Sequence, residues 1–528
     1  MAEDAVTVYT CEDGSDFPVH WERPEDHLAP WVRNADHWPA AAPPLEVALG
    51  AAGLPGRLRA FDEVDIPCLY TFRRSYAPHG FVYLNQTQYS PAEAEQWLRG
   101  AEALIARYGG VLEVWTGYCL PKIKEICRRL QMDEPSPLAD LADAWAYSQN
   151  LTMVAAAVLR SRMQPLGSFL MQELGAEGER LQNDLMQGQA NATIDADQAL
   201  WRLAQLAASS PRLKERLLDS AGMLDPAELY KLDSGGEFRR AFEAFLDEYG
   251  WRSEVWQLIA FTWRERPQIA LSLIRSVIAS QAPSPLATQQ QSLTRGQELA
   301  DSVRDRLPSD KRGAFDALLA PLSGYTTVRE GRAQWQLIGI GSMRHAVLRR
   351  GDRLAEAGLI ESRDDVWFLL PDEVEAAPPR SDLRGLIEDR RKDHEYWASK
   401  IPPPIIGGPP PPEARGLAPS ARDGSSIRGI GASRGTATAR ARVILDLADA
   451  QRLQRGDVLV TVMTAPPWTP LFGIASAIVT DTGGLLSHPS IAAREYGIPC
   501  VVGARTATRD IRDGAVITVD GEAGTVSW

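Results

Sequence analysis

Up to about residue 398 apolar residues recur every three to four positions, the spacing of helices that bury one face. The run SPAEAEQWLRGAEALIARYGG places Ser90 as a cap and Pro91 at the first helical position, and closes at Gly109-Gly110. A second Ser-Pro start, at Ser136-Pro137, heads a longer run that reaches Met163. Further helices are expected over 195–209, 236–249, 267–280, 288–306 and 324–357. The segment before Pro91 is rich in Trp, Pro and His and contains extended pieces such as GFVYLNQTQY.

After residue 427 the period changes. ARVILD, GDVLVTVM, ASAIVTD, PCVVG and AVITVDGEAGTVSW are short β-branched runs bounded by Gly, Asp and Pro, the pattern of strands. Short helical stretches are expected between them, at 447–453, 467–475 and 489–496. The proline- and glycine-rich run SKIPPPIIGGPPPPEARGLAPSARDGSS separates the two regimes, and clustered prolines favour an extended, semi-stiff linker. Four parts follow: an N-terminal Trp/Pro-rich segment (1–90) packed on the next part, a helical domain (91–398), a linker (399–427) and a compact α/β domain (428–528). The fold class is multidomain, mainly α-helical and then α/β.

Composition narrows the function classes. A net charge of −13 argues against a general nucleic-acid surface, which needs clustered cations. Five scattered cysteines with no CxxC give neither a disulfide framework nor a zinc pattern. No run of about 18 apolar residues would span a membrane, and the acidic N-terminus lacks the apolar core of a signal peptide. The expected location is the cytoplasm.

Candidate chemistry concentrates in DTGGLLSHPSIAAREYGIPCVVG, which holds His488, one of only seven histidines. Gly483 and Gly484 permit a tight turn out of the preceding strand, and Pro489 suits the first position of a helix that stops at Gly497. His488 would then cap a helix N-terminus, where donors and the helix dipole favour an anion by about 0.3–1 kcal/mol. A neutral imidazole is a competent nucleophile, and a phosphoryl group on it would need donors. Thr482, Ser487 and the amides of Gly483 and Gly484 could supply them. A plain helix cap is the alternative reading of the same spacing.

TDTGGLLSHPSIAAREYGIPCVVG closely resembles the swivelling phosphohistidine domain of phosphoenolpyruvate-utilising enzymes, the group that includes phosphoenolpyruvate synthase and rifampin phosphotransferase. GDVLVTVMTAPPWTPLF upstream and DGAVITVDGEAGTV downstream extend the likeness over 428–528. Weaker likeness to the rifampin phosphotransferase group lies in LRRGDRLAEAGLIESRDDVWFLLPDEV, in FLDEYGWRSEVWQLIAFTWRERP, where Trp251 stands for that group's usual histidine, and in VHWERPEDHLAPWVRNADHWPAAAPPL. The resemblance implies that His488 becomes phosphorylated. Full-length relatives begin with an ATP-grasp domain, for which the segment ahead of the helical part has no room, and the chain has no GxxxxGK[ST] motif. The resemblance therefore implies a split system, in which Mg-ATP acts through a separate ATP-grasp protein and no cofactor or metal is held tightly in this chain.

Other groups have two readings each. Arg329, Arg332 and Gln336 share one face of a predicted helix, with Arg344 and His345 further on, and could clamp phosphate or form a solvated, ion-paired face with Glu330 and Asp352 as partners. His20, His27 and His37 match no compact metal spacing and read as packing. Asp364 and Asp365 could act as bases or as caps. Trp251, Trp256 and Trp263 could be core, or could line a pocket for an aromatic or bulky acceptor. The leading function is a phosphotransferase component that carries a phosphoryl group on His488 to a small molecule in the helical domain. The alternatives are ATP-driven condensation or dehydration through a phosphorylated substrate, and a non-catalytic binding or regulatory relic.

Overall fold

The computed structural model describes residues 6–528 apart from 36, 69–73, 86, 133–135, 220–223, 233–234, 254, 376–382, 410–424 and 486. The helices that matter below are α1 (Pro91–Tyr108), α2 (Leu138–Leu174), α3 (Ala176–Asp184), α4 (Ala192–Ser209), α5 (Gly235–Tyr249), α6 (Pro267–Ser280), α7 (Pro285–Arg306), α8 (Tyr325–Glu356) and α9 (His488–Tyr496). Ser90 and Glu93 form a reciprocal capping box at the start of α1, and left-handed Gly109 ends it. α2 runs past the expected stop at Met163 despite an internal Pro165, because fully buried Leu166 and Leu170 continue its apolar stripe. Among the described residues no helix is long and apolar enough to cross a membrane.

The chain divides into two compact units. Unit 1 comprises residues 1–158, 255–260 and 338–419, and unit 2 comprises 159–254, 261–337 and 420–528. The helical segment 91–398 is thus shared between both, and the α/β region belongs to unit 2.

Unit 1 holds a hairpin, β1 (Val6–Thr10) with β2 (Asp16–His20), and a small antiparallel sheet. That sheet is built from β3 (Pro30–Arg33), β4 (Ser75–Tyr76), β5 (Tyr83–Asn85) and β6 (Ile405–Gly407), in the order β4-β5-β3-β6. β6 lies inside the segment expected to be linker: Ile406 pairs with Trp31 and is fully buried, so the backbone there is held by a ladder. The rest of that segment over 410–424 lies outside the described residues. The aromatic-rich N-terminal part packs as core, with Phe17, Trp31, Phe81 and Tyr83 at 2% exposure or less. The six residues 255–260 are clamped from both sides: the buried carboxylate of Glu46 accepts the N–H of Leu258 (2.8 Å) and Ile259 (3.3 Å), and buried Arg344 donates to their carbonyls. Burial pushes the Glu46 carboxyl up to about 7, against the pull of these N–H donors and of Arg344.

In unit 2 the C-terminal strands are β7 (Ser426–Arg428), β8 (Ile430–Ser433), β9 (Thr436–Val443), β10 (Val458–Thr461), β11 (Ala477–Thr480), β12 (Cys500–Val502), β13 (Val516–Asp520) and β14 (Thr525–Ser527). They form one sheet in the order β7-β14-β13-β9-β10-β11-β12-β8, parallel from β9 to β12 and antiparallel elsewhere. Every residue of β10, β11 and β12 is buried, which is why these strands read as unbroken apolar runs. The expected helices over 447–453 and 467–475 are short 3₁₀ segments, Leu447–Arg452 and Pro466–Leu471. In the second of them Pro470, beyond the first turn, lacks the N–H that an α-helix would need there.

Candidate active site

The loop after β11 delivers His488. Gly483 takes φ +111°, and a Cβ there would come within 2.9 Å of the Ser487 hydroxyl, so both the turn and the close approach require glycine. The Gly484 carbonyl gathers the loop, accepting from Ser487 N (2.9 Å), Ser487 Oγ (2.7 Å) and Ser490 Oγ (2.7 Å). Ser487, in extended conformation, is the residue ahead of α9, so His488 is its first helical residue and Pro489 its second. This corrects the expected cap by one position, since His488 itself already has helical geometry. The Ser487 hydroxyl caps no N–H of the helix, being committed to Gly484 and to Ser490 Oγ (3.2 Å). Thr482 Oγ1 turns to the Val462 carbonyl (3.3 Å).

The imidazole is buried and flanked on both sides. Its Nε2 lies 3.1 Å from Oγ1 of Thr469, whose hydroxyl donates to the Pro466 carbonyl at 2.8 Å. A hydroxyl has one proton, so Thr469 accepts from the ring, and this network assigns a proton to Nε2. Nδ1 faces Oε2 of Glu330 at 3.6 Å, too long for a hydrogen bond and short enough for a strong electrostatic contact. Thr193 Oγ1, from α4, donates to the same carboxylate oxygen at 2.8 Å. Burial alone would raise the Glu330 carboxyl, but His488, Arg329 and the Thr193 hydroxyl outweigh it and hold the group below its ordinary value. A cavity of about 10 Å³, room for roughly one water, lies between these side chains and Glu495 and Tyr496 of α9.

Around this centre lie further buried charges. The Glu495 carboxylate takes the N–H of Gly188 on both oxygens (3.0 and 2.8 Å), and burial pushes it up to about 7. Burial also carries Asp197 and Tyr496, which share a hydrogen bond, well above their ordinary values. Arg494 donates to the carbonyls of Ala432 (2.9 Å) and Leu485 (3.2 Å) and sits 3.8 Å from Asp184.

The sequence reading placed Glu330 as an ion-pair partner on a solvated face. It is 5% exposed and faces the histidine, because Arg329 and Glu330 lie about 100° apart around α8 and only the second points inward. Arg329 stays half-buried beside it, with an Nε that lacks a hydrogen-bond partner, and Arg332 and Gln336 follow, half-buried, on the same helix. Arg344 is removed from any phosphate-clamp role: it is a fully buried support in unit 1, and His345 is exposed. Asp365 caps the turn after Ser362 and pairs with Arg391, and Asp364 lies 3.2 Å from Arg344. Among the described residues no three His, Cys, Asp or Glu side chains gather as a metal site, so His20, His27 and His37 do not converge. Trp263 is core beneath Arg252, whose guanidinium lies 4.8 Å from its ring, and Trp251 and Trp256 are half-buried. Thr193, Thr469 and Glu495 carried no signal in the sequence, since each is polar within an otherwise ordinary helix or turn.

The chain is similar in sequence to known proteins in both regions. Residues 453–524 match the mobile domain of PEP-utilising enzymes, and residues 149–330 match the fourth domain of rifampicin phosphotransferase. Chondramide synthase CmdD of Chondromyces crocatus is 29% identical over 97% of this chain. The uncharacterised phosphotransferase YvkC of Bacillus subtilis is 33% identical over 72% of it, and a Streptomyces rifampicin phosphotransferase 34% identical over 63%. The matched regions span 14%, 47% and 39% of those three proteins. The stretch that matches the mobile domain of PEP-utilising enzymes thus includes His488, and the stretch that matches the fourth domain of rifampicin phosphotransferase ends at Glu330.

Proposed function

We propose that His488 is a phosphoryl carrier and that Glu330 is the base that completes delivery to a small-molecule acceptor in the helical part of unit 2. In charging, an imidazole nitrogen attacks phosphorus, a P–N bond forms and the donor's P–O bond breaks. In delivery, the acceptor oxygen attacks phosphorus, the P–N bond breaks and its electron pair returns to the ring. The acceptor's proton goes to the Glu330 carboxylate. The observation that carries this reading is the 3.6 Å contact between His488 Nδ1 and Glu330, which joins the two matched domains at one ionisable pair.

Charging is assigned to a separate ATP-grasp protein that acts with Mg-ATP. In the pose described here Nε2 is engaged by Thr469 and Nδ1 faces a carboxylate, which disfavours attack on a donor. The class of acceptor is a hydroxyl or carboxylate compound. The near-full coverage by chondramide synthase supports a second reading, in which the phosphorylated compound is an activated intermediate for condensation or dehydration.

The test is the intact mass of the chain after incubation with Mg-ATP and extract of its own host. An alkali-stable, acid-labile phosphoryl adduct that is absent in His488→Ala is expected. No adduct on the folded wild-type chain would overturn the reading and turn attention to a binding role.

A further inference from the structure

Glu495, near the end of helix α9, meets the helical part of unit 2 through its side chain and through its backbone carbonyl, beside the Tyr496–Asp197 hydrogen bond and the Arg494–Asp184 approach. The Glu495 side chain receives the N–H of Gly188 on both carboxylate oxygens, at 3.0 and 2.8 Å. The backbone carbonyl of Glu495 receives Nη2 of Arg295, from α7, at 3.0 Å. The donor side of the first contact is shaped for its task. Gly188 has φ +80°, and a Cβ on it would fall 2.1 Å from the backbone nitrogen of Leu293, so only glycine can present this N–H against α7. Gly497, which closes α9 with φ +66°, leaves room for the Arg295 guanidinium: a Cβ there would lie 3.3 Å from its Cζ and Nη2. A cation at the C-terminus of a helix also complements the helix dipole.

These contacts stand two helical turns from the reacting ring on the same short, rigid helix. Fixing the far end of a nine-residue helix fixes the direction of its first residue. The Glu495 side chain is 5% exposed, so its hydrogen bonds are made away from competing water.

We infer that Glu495 is a positioning residue: its carboxylate, seated on the Gly188 N–H, latches α9 in place and aims His488 at Glu330. The inference rests on the carrier reading for its purpose, but the latch itself does not require phosphorylation. Arg295 is its second anchor. Its backbone and side-chain partners are Arg295 and Gly188 rather than the ring of His488, so its loss should slow delivery by misdirecting the ring.

Hydrogen exchange of the uncharged full-length chain, followed by mass spectrometry, tests this directly. Glu495→Ala is expected to speed exchange of the amides at 186–190 and 489–497 by tenfold or more. Glu495→Gln keeps an oxygen that can accept from Gly188 and should restore most of the protection. Arg295→Met should loosen the same peptides, which covers the case of an alanine variant that folds poorly. Unchanged exchange at 186–190 in Glu495→Ala would overturn the latch, and so would a glutamine variant that behaves like alanine. A chain whose His488 takes up no phosphoryl group but whose exchange responds as stated would overturn the carrier reading and leave the latch standing.

Discussion

Nδ1 of His488 lies 3.6 Å from Oε2 of Glu330, and each side chain is 6% exposed. Two ionisable groups are seldom taken out of water together unless their interaction repays the desolvation or serves a reaction. Thr193 and Thr469 hold one oxygen of the acid and one nitrogen of the ring, so both partners are oriented from outside the pair. The carboxyl is kept ionised by its neighbours, so it is in the form that can accept a proton.

Glu330→Gln removes the base and keeps the size of the side chain. Charging of His488 should proceed, while loss of the phosphoryl group to the acceptor should slow by about 10²- to 10⁴-fold. The decay of the phosphohistidine adduct in host extract, followed by intact mass, reads this. Equal decay in variant and wild type would remove Glu330 from the chemistry.

Gly483→Ala tests the loop. An alanine at φ +111° costs on the order of 1–3 kcal/mol and brings a methyl within 2.9 Å of Ser487 Oγ. The Ser487–Gly484 contacts would have to shift and turn the start of α9. Both the melting temperature and the rate of His488 charging are expected to fall, whereas Gly484→Ala, with nothing within 4 Å of its Cβ, should be far milder.

The buried Glu46 predicts a pH effect on unit 1. Its carboxyl is raised from 4.5 to about 7 in the folded state, so the folded protein binds the extra proton between those values. Its contribution to stability is therefore full below about 4.5 and is lost as pH rises through 7, a change on the order of 3 kcal/mol. Urea midpoints from pH 5 to 8 should show a downward component that is reduced in Glu46→Gln. Parallel curves for the two proteins would contradict the raised value.

Local pattern determined much of this protein. Three-to-four spacing marked the helices of the first 398 residues, and short β-branched runs marked the buried strands β10 to β12. Gly483, Pro489 and Gly497 announced the loop and the helix that carry His488, because each meets a backbone need that few other residues can. What lay beyond reach were pairings across long separations. Ile406 joins a sheet begun by Trp31, although its neighbours read as linker, since a ladder partner leaves no mark in local sequence. Glu330 lies 158 residues before His488, and its identity as partner rather than surface charge depended on which side of α8 the fold turned inward. Burial, and with it the strength of every charge around the histidine, is a property of the assembled structure, and only the tertiary fold decides it.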